Sequence, residues 1–267
     1  MFVTRLISGI VLLILAILSI HGGGPLLLGL SLLISLVGLY ELFKALDIQK
    51  KLVTGIQYVF TILFYISLGF PPGMHIFYIC ILDLMCLQAM YVLTFPGCTT
   101  RDIAYAFFGF AYVPLLFSFL FQTRMLQDGQ ILAWLILISS WGSDTCAYAV
   151  GVCIGKHKIA PVLSPKKSVE GCIGGVLGAA LIGGLMGWFL REHLNTSFDP
   201  ALTCALACGI GSVISQIGDA VASAIKRNHD IKDYGTLIPG HGGILDRFDS
   251  MIFTAPAVFL ALKLLGQ

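Results

Sequence analysis

Charge is what this 267-residue sequence has least of: Asp, Glu, Lys and Arg make up 11% of it, against roughly 25% in a soluble globular domain. Apolar side chains fill 57% of the chain. They lie in long charge-poor runs, which makes lipid the solvent for most of the protein and excludes most soluble classes. The net charge of +2 gives no basic excess of the kind nucleic-acid binding uses. Eight cysteines are present, but no CxxC pair or Cys/His ligand spacing occurs, so neither a zinc site nor a disulfide framework is expected. Cys204 and Cys208 share a helix face and read as small apolar filler. Walker A, Rossmann GxGxxG and HExxH patterns are also missing, so a bound nucleotide must be held by loops and helix ends.

What is present is a succession of apolar segments, at about residues 3–21, 25–43, 52–70, 74–94, 103–122, 130–154, 171–190, 201–225 and 249–265. Each is near the length of a membrane-spanning helix, and none shows the period-two alternation of a barrel strand. The first is read as a span and not a cleaved leader, because its exit "SIHGGGP" lacks a small-x-small cleavage site. The expected fold is all-α: a polytopic membrane protein of about nine transmembrane helices. It is one integral domain over 1–267, with N-terminal helices in 1–125 and motif-bearing helices and cytoplasmic loops in 130–265. Nine spans put all Lys and Arg except Arg124, Arg191 and Lys263 on the N-terminal side. By the positive-inside bias that side is cytoplasmic, with the N-terminus and both long polar loops. Segment seven, "GCIGGVLGAALIGGLMG", repeats glycine at intervals of four (Gly171/Gly175, Gly174/Gly178, Gly183/Gly187). That spacing lets helix backbones approach closely in lipid.

Ionisable groups within spans are costly and face a cavity or a partner. Asp83, Asp144 and Asp219 stand out. Asp83 has apolar neighbours apart from Gln88 and reads as structural. Ser212, Gln216, Asp219, Ser223 and Lys226 form one polar stripe along a helix face, with Asp219 about 10 Å inside Lys226. A wet cleft open to the cytoplasm and a helix–helix hydrogen-bond seam both account for such a stripe. Asp144 has Ser140 and Tyr148 one turn to either side and is a similar cleft candidate.

The stretch "KRNHDIKDYGTLIPGHGGILDRFDS" (226–250) concentrates the missing charge. Lys226, Arg227, Lys232 and Arg247 can hold phosphates. Gly242 and Gly243 permit close backbone approach. Asp246 and Asp249, three apart, suit Mg²⁺ as oxygen ligands, or they cap the last helix and meet its positive end. His241 is assigned only to positioning, or to hydrogen bonding within the loop. The other loop, "SPKKSVEG", adds Lys166, Lys167 and Ser168, either as a basic membrane flank or as a second phosphate or headgroup contact.

The pattern Ser223-x-Ile225-Lys226-Arg227-x₄-Lys232-Asp233-x-Gly235-x₂-Ile238-Pro239-x-His241-Gly242-Gly243-Ile244-x-Asp246-Arg247-Phe248-Asp249 resembles the signature of the phosphatidate cytidylyltransferases, or CDP-diacylglycerol synthases. "WGSDTCAYAVG" and "SPKKSVEG" resemble the family's upstream motifs, in the expected order. The resemblance covers about residues 139–250. It implies the reaction of CTP with phosphatidic acid to give CDP-diacylglycerol and pyrophosphate, a Mg²⁺ requirement with K⁺ as a candidate second cation, and a homodimer in the cytoplasmic membrane. On this reading Asp219, Asp246 and Asp249, with Asp144 nearby, hold the metal. Lys226, Arg227, Lys232 and Arg247, helped by Lys166 and Lys167, hold triphosphate or lipid phosphate. A CTP-dependent polyprenol kinase and a proton-coupled transporter are the alternatives, and no inverted repeat supports the latter.

Overall fold

The computed structural model describes residues 2–70, 75–160, 163–240 and 242–267. Each apolar segment expected from the sequence carries helix, as it must where no water can satisfy backbone groups. Five stretches among the described residues are long and apolar enough to cross a membrane: Gly24–Ala45, Ile76–Thr94, Thr100–Arg124, Val169–Phe189 and Pro200–Asn228. The chain divides into two compact units, residues 1–118 with 229–247 and residues 119–228 with 248–267.

The first unit holds α1 (Phe2–Gly22), α2 (Gly24–Ala45), α3 (Leu52–Leu68), α4 (His75–Thr94) and α5 (Thr100–Phe110). A π-helical turn at Ala111–Leu115 extends α5 and contains Pro114. Proline has no N–H and crowds the preceding turn, and a wider turn accommodates both defects. The core is aromatic: Phe43, Phe64, Tyr65 and Phe110 are fully buried, with Phe64 and Phe110 edge to face at 5.7 Å. Gly109 lets α5 lie against α2, because a Cβ there would be 2.9 Å from Phe43 and 3.0 Å from Leu39. The N-terminus of α5 is closed by a capping box. Thr99 N donates to Asp102 Oδ2 (2.8 Å) and Asp102 N to Thr99 Oγ1 (3.3 Å). Asp83 is fully buried and accepts from Gln57 Nε2 at 2.9 Å. It joins α4 to α3, in keeping with a structural reading.

The second unit begins with short helices, α6 (Phe119–Arg124), α7 (Gly129–Leu132) and α8 (Trp134–Leu137). A π turn (Ile138–Gly142) follows, then α9 (Ser143–Ile154). The loop after α9 folds into an antiparallel ribbon, β1 (Lys158–Ala160) and β2 (Ser164–Ser168), which no apolar periodicity announced. Then come α10 (Val169–Phe189) and α11 (Pro200–Asn228). The last helix, α12 (Leu245–Leu264), contributes its portion from Phe248 onward to this unit and its first turn to the other.

Small residues of α10 set the packing of this unit. Gly171, Gly175, Ala179, Gly183 and Gly187 are its buried positions, one every four residues. Toward α9, a Cβ on Gly175 would lie 2.9 Å from Ser143 Oγ; toward α11, one on Gly183 would lie 2.8 Å from the Cys204 carbonyl oxygen. Backbone approach of this kind replaces the hydrophobic drive that lipid cannot supply. Cys204 and Cys208 are buried free thiols, filler as expected. Gly183→Leu is expected to overpack the seam and cost about 1–3 kcal/mol, seen as a lowered thermal midpoint in detergent. Gly55→Ala on α3, where a Cβ meets nothing within 4 Å, is expected to leave the midpoint unchanged or slightly raised.

Candidate active site

In the second unit the site is built around the ribbon. Glu170, in the first turn of α10, accepts from the backbone N–H groups of Lys156 (3.0 Å) and His157 (3.2 Å) and pairs with His157 Nδ1 (2.6 Å). Ser168 caps α10 by accepting from Gly171 N at 3.2 Å. A Cβ on Gly151 would lie 3.2 Å from the Ser168 hydroxyl. Ser168, expected as a substrate contact, therefore has a structural task at the base of the ribbon.

Alternation along β2 then separates the two neighbouring lysines, leaving Lys166 exposed and Lys167 half-buried. Lys167 Nζ pairs with Asp219 Oδ2. Burial alone would draw the Lys167 ammonium down, but the carboxylates of Asp219 and Asp144 outweigh it and hold the pKa above the ordinary lysine value. The Lys167 ammonium therefore stays charged across the neutral range, and what it contributes to the pair is lost as pH rises past that elevated value. Asp144, Tyr148, Lys166, Lys167, Gln216 and Asp219 line a cavity of about 700 Å³.

The polar stripe of α11 divides. At depth, Ser212 is fully buried and shares a 2.6 Å hydrogen bond with Ser143. Gln216 Nε2 donates to the Cys172 carbonyl at 3.0 Å. Asp219 faces the cavity, and Lys226 Nζ stands 3.9 Å from Asp249 Oδ2. Ser212 thus belongs to a helix–helix seam, while Gln216 and Asp219 line the polar cavity. Asp249 is buried and also accepts from Ser250 N at 2.7 Å. Arg227 is exposed.

In the first unit the signature loop makes a cavity of its own, of about 580 Å³, lined by Lys232, Asp233, Thr236, Gly240, Gly242 and Arg247 among others. Ile238 N donates to the Gly242 carbonyl at 2.8 Å. Gly240 and Gly242 take positive φ (77° and 87°), which glycine adopts without strain. His241 lies outside the described residues. Arg247 Nε is buried with no hydrogen-bond partner among the described residues. Such a cationic donor suits an anion.

Asp246 turns inward: its Oδ2 accepts from Tyr234 N (2.8 Å) and Gly243 N (2.9 Å). The Gly243 amide is therefore engaged by the protein itself. The structure adds another reason for glycine there, since a Cβ would meet the Glu41 carboxyl at 2.5–2.6 Å. Glu41, on α2, accepts from Ile244 N (3.1 Å) and Leu245 N (2.8 Å). Sequence reading missed it because it lies 203 residues away. The available signal was a lone acid within an apolar segment.

Among the described residues no group of three or more His, Cys, Asp or Glu side chains could hold a metal ion. Within the second unit the acids are met by lysines instead, Asp219 by Lys167 and Asp249 by Lys226. Asp144 and Asp219 are hard oxygen donors on one cavity, and both act on the same ammonium. A donor pair that already draws a cation fits Mg²⁺.

A family model described as "Cytidylyltransferase family" matches residues 3–265. A phosphatidate cytidylyltransferase of Staphylococcus saprophyticus subsp. saprophyticus is 33% identical over 262 residues, covering 97% of this chain and 98% of the relative. One from Bacillus subtilis (strain 168) is 30% identical over 245 residues, 88% of each chain. One from Staphylococcus aureus (strain COL) is 32% identical over 261 residues, 97% of this chain and 98% of the relative. With a match running nearly end to end over a cation-lined cavity in each unit, the chain belongs to the cytidylyltransferase family.

Proposed function

We propose that this chain carries out the reaction its relatives are named for, transferring the cytidylyl group of CTP to phosphatidic acid. A phosphate oxygen of the lipid forms a bond to the α-phosphorus of CTP. The bond from that phosphorus to the bridging oxygen of the β-phosphate breaks, and pyrophosphate leaves with the electron pair. The nucleophile is already an anion, so no covalent enzyme intermediate is needed. The difficulty is bringing two polyanions together, which calls for charge neutralisation and alignment. The observation that carries this reading is the half-buried Lys167–Asp219 pair, with Asp144 on the same cavity, within a chain whose family match is almost complete.

In this reading Asp219, with Asp144, holds Mg²⁺, which when bound would neutralise phosphate charge. Asp249 is a further oxygen donor, and a second cation such as K⁺ belongs to the same proposal. Lys166, Lys167, Lys226 and Arg227 meet phosphate in the second unit, and Lys232 and Arg247 do so in the first. For Asp246 we favour ordering of the loop over the metal role its spacing suggested. The membrane arrangement we propose is a single integral domain of about nine spans. The N-terminus and both polar loops face the cytoplasm, the host is the cytoplasmic membrane, and the protein acts as a homodimer.

Purified protein in detergent with CTP, phosphatidic acid and Mg²⁺ should release pyrophosphate and form a liponucleotide carrying label from the α-phosphate and none from the γ-phosphate. γ-Label in the lipid would indicate a kinase instead. Asp219→Asn is expected to lower turnover at least about 100-fold while eluting as the parent does, and a chelator should stop the parent enzyme. Near-parental turnover in the Asn variant removes Asp219 from the site.

For topology, protease applied to the cytoplasmic face of vesicles should remove an N-terminal tag and spare a C-terminal one. Removal of both from one side would rule out an odd number of spans.

A further inference from the structure

Glu41 is the one acid of α2, and only 4% of it is exposed. A carboxylate buried in an apolar helix is costly unless its oxygens are satisfied. Here each oxygen takes one backbone amide: Oε1 that of Ile244 and Oε2 that of Leu245. These amides lie where α12 begins, among the donors that a helix leaves unpaired at its N-terminus. The negative charge also meets the positive end of that helix. Asp246 takes the neighbouring amide of Gly243 and, across the loop, that of Tyr234. Two carboxylates, one local and one remote, thus hold four loop amides.

The loop is shaped around the remote one. A Cβ on Gly235 would lie 2.9 Å from Glu41 Cδ and 3.2 Å from the Gly243 Cα. On Gly243 the three nearest atoms to a Cβ all belong to the Glu41 carboxyl group. Neither glycine has positive φ. Backbone conformation therefore does not demand glycine at these positions, whereas room for Glu41 does. Gly235 also lines the cavity with Lys232 and Arg247, and Arg247 follows two residues after the amide that Glu41 holds.

We propose that Glu41 is a positioning residue of the cytidylyl-transfer reaction: a remote cap that sets the signature loop so that Lys232 and Arg247 meet the phosphates of CTP, without itself touching substrate. The part concerning CTP rests on the function proposed above.

The test compares the parent with Glu41→Gln and Glu41→Ala, as full-length protein in detergent. Glutamine keeps the shape and one acceptor but turns an N–H toward the second amide. Hydrogen exchange across 234–247 is expected to quicken about tenfold or more in both variants, with 169–189 unchanged. The KM for CTP is expected to rise at least about fivefold in Glu41→Gln and that for phosphatidic acid to stay within about twofold, since only the phosphate-holding loop is loosened. If Glu41→Ala does not fold, Gly243→Ala drives a Cβ into the carboxylate and should reproduce the faster exchange.

Parental exchange rates in the loop would overturn the proposal. So would equal loss toward both substrates in proportion to a smaller folded fraction, the mark of a merely structural residue. If the parent forms no liponucleotide from CTP and phosphatidic acid, the functional reading fails, and the exchange comparison alone decides whether Glu41 orders the loop.

Discussion

A carboxylate taken out of water must be met by a donor or a cation, because leaving it unpaired costs several kcal/mol and neutralises or unfolds it. Much of the organisation described above follows from that constraint. In the second unit, Lys167 meets Asp219 and Lys226 meets Asp249. In the first, Gln57 meets Asp83, and backbone amides meet Glu41 and Asp246. The partners differ in kind, and the difference sorts the acids. Those met by amide groups hold the fold and the loop. Those met by lysine side chains belong to ion pairs, and one of them, Asp219, lines a cavity.

The fold was largely legible because the bilayer enforces it. A run of about 20 apolar residues can satisfy its own backbone only as a helix, and the glycine interval of four in α10 translates directly into a buried face. The exceptions are local. Pro114 becomes a π turn inside α5's extension, Ile138–Gly142 another, and the loop after α9 a short ribbon. None of these alters the hydrophobic pattern, so none leaves a periodic trace.

The site was legible in composition and less so in wiring. The stripe on α11 gave the spacing of Ser212, Gln216 and Asp219, but spacing cannot say which member finds a protein partner. Ser212 finds Ser143, Gln216 the Cys172 carbonyl, and Asp219 the ammonium of Lys167 on the wall of a cavity. Asp246 and Asp249 looked equivalent because they are three apart. The former takes loop amides and the latter sits beside Lys226. Glu41 was invisible because its meaning depends on a contact 203 residues distant. No local window contains both ends of that bond.

The ribbon has a consequence for how the Lys166–Lys167 doublet should be understood. Adjacent identical residues look like insurance, each able to stand in for the other. A pleated strand denies that, because its neighbours face opposite ways: one ammonium reaches Asp219 while the next is exposed to solvent. On the cavity that both line, the doublet is one anchoring cation and one more exposed cation, and exchanging their duties would require β2 to slip by a residue against β1 and carry its whole register with it.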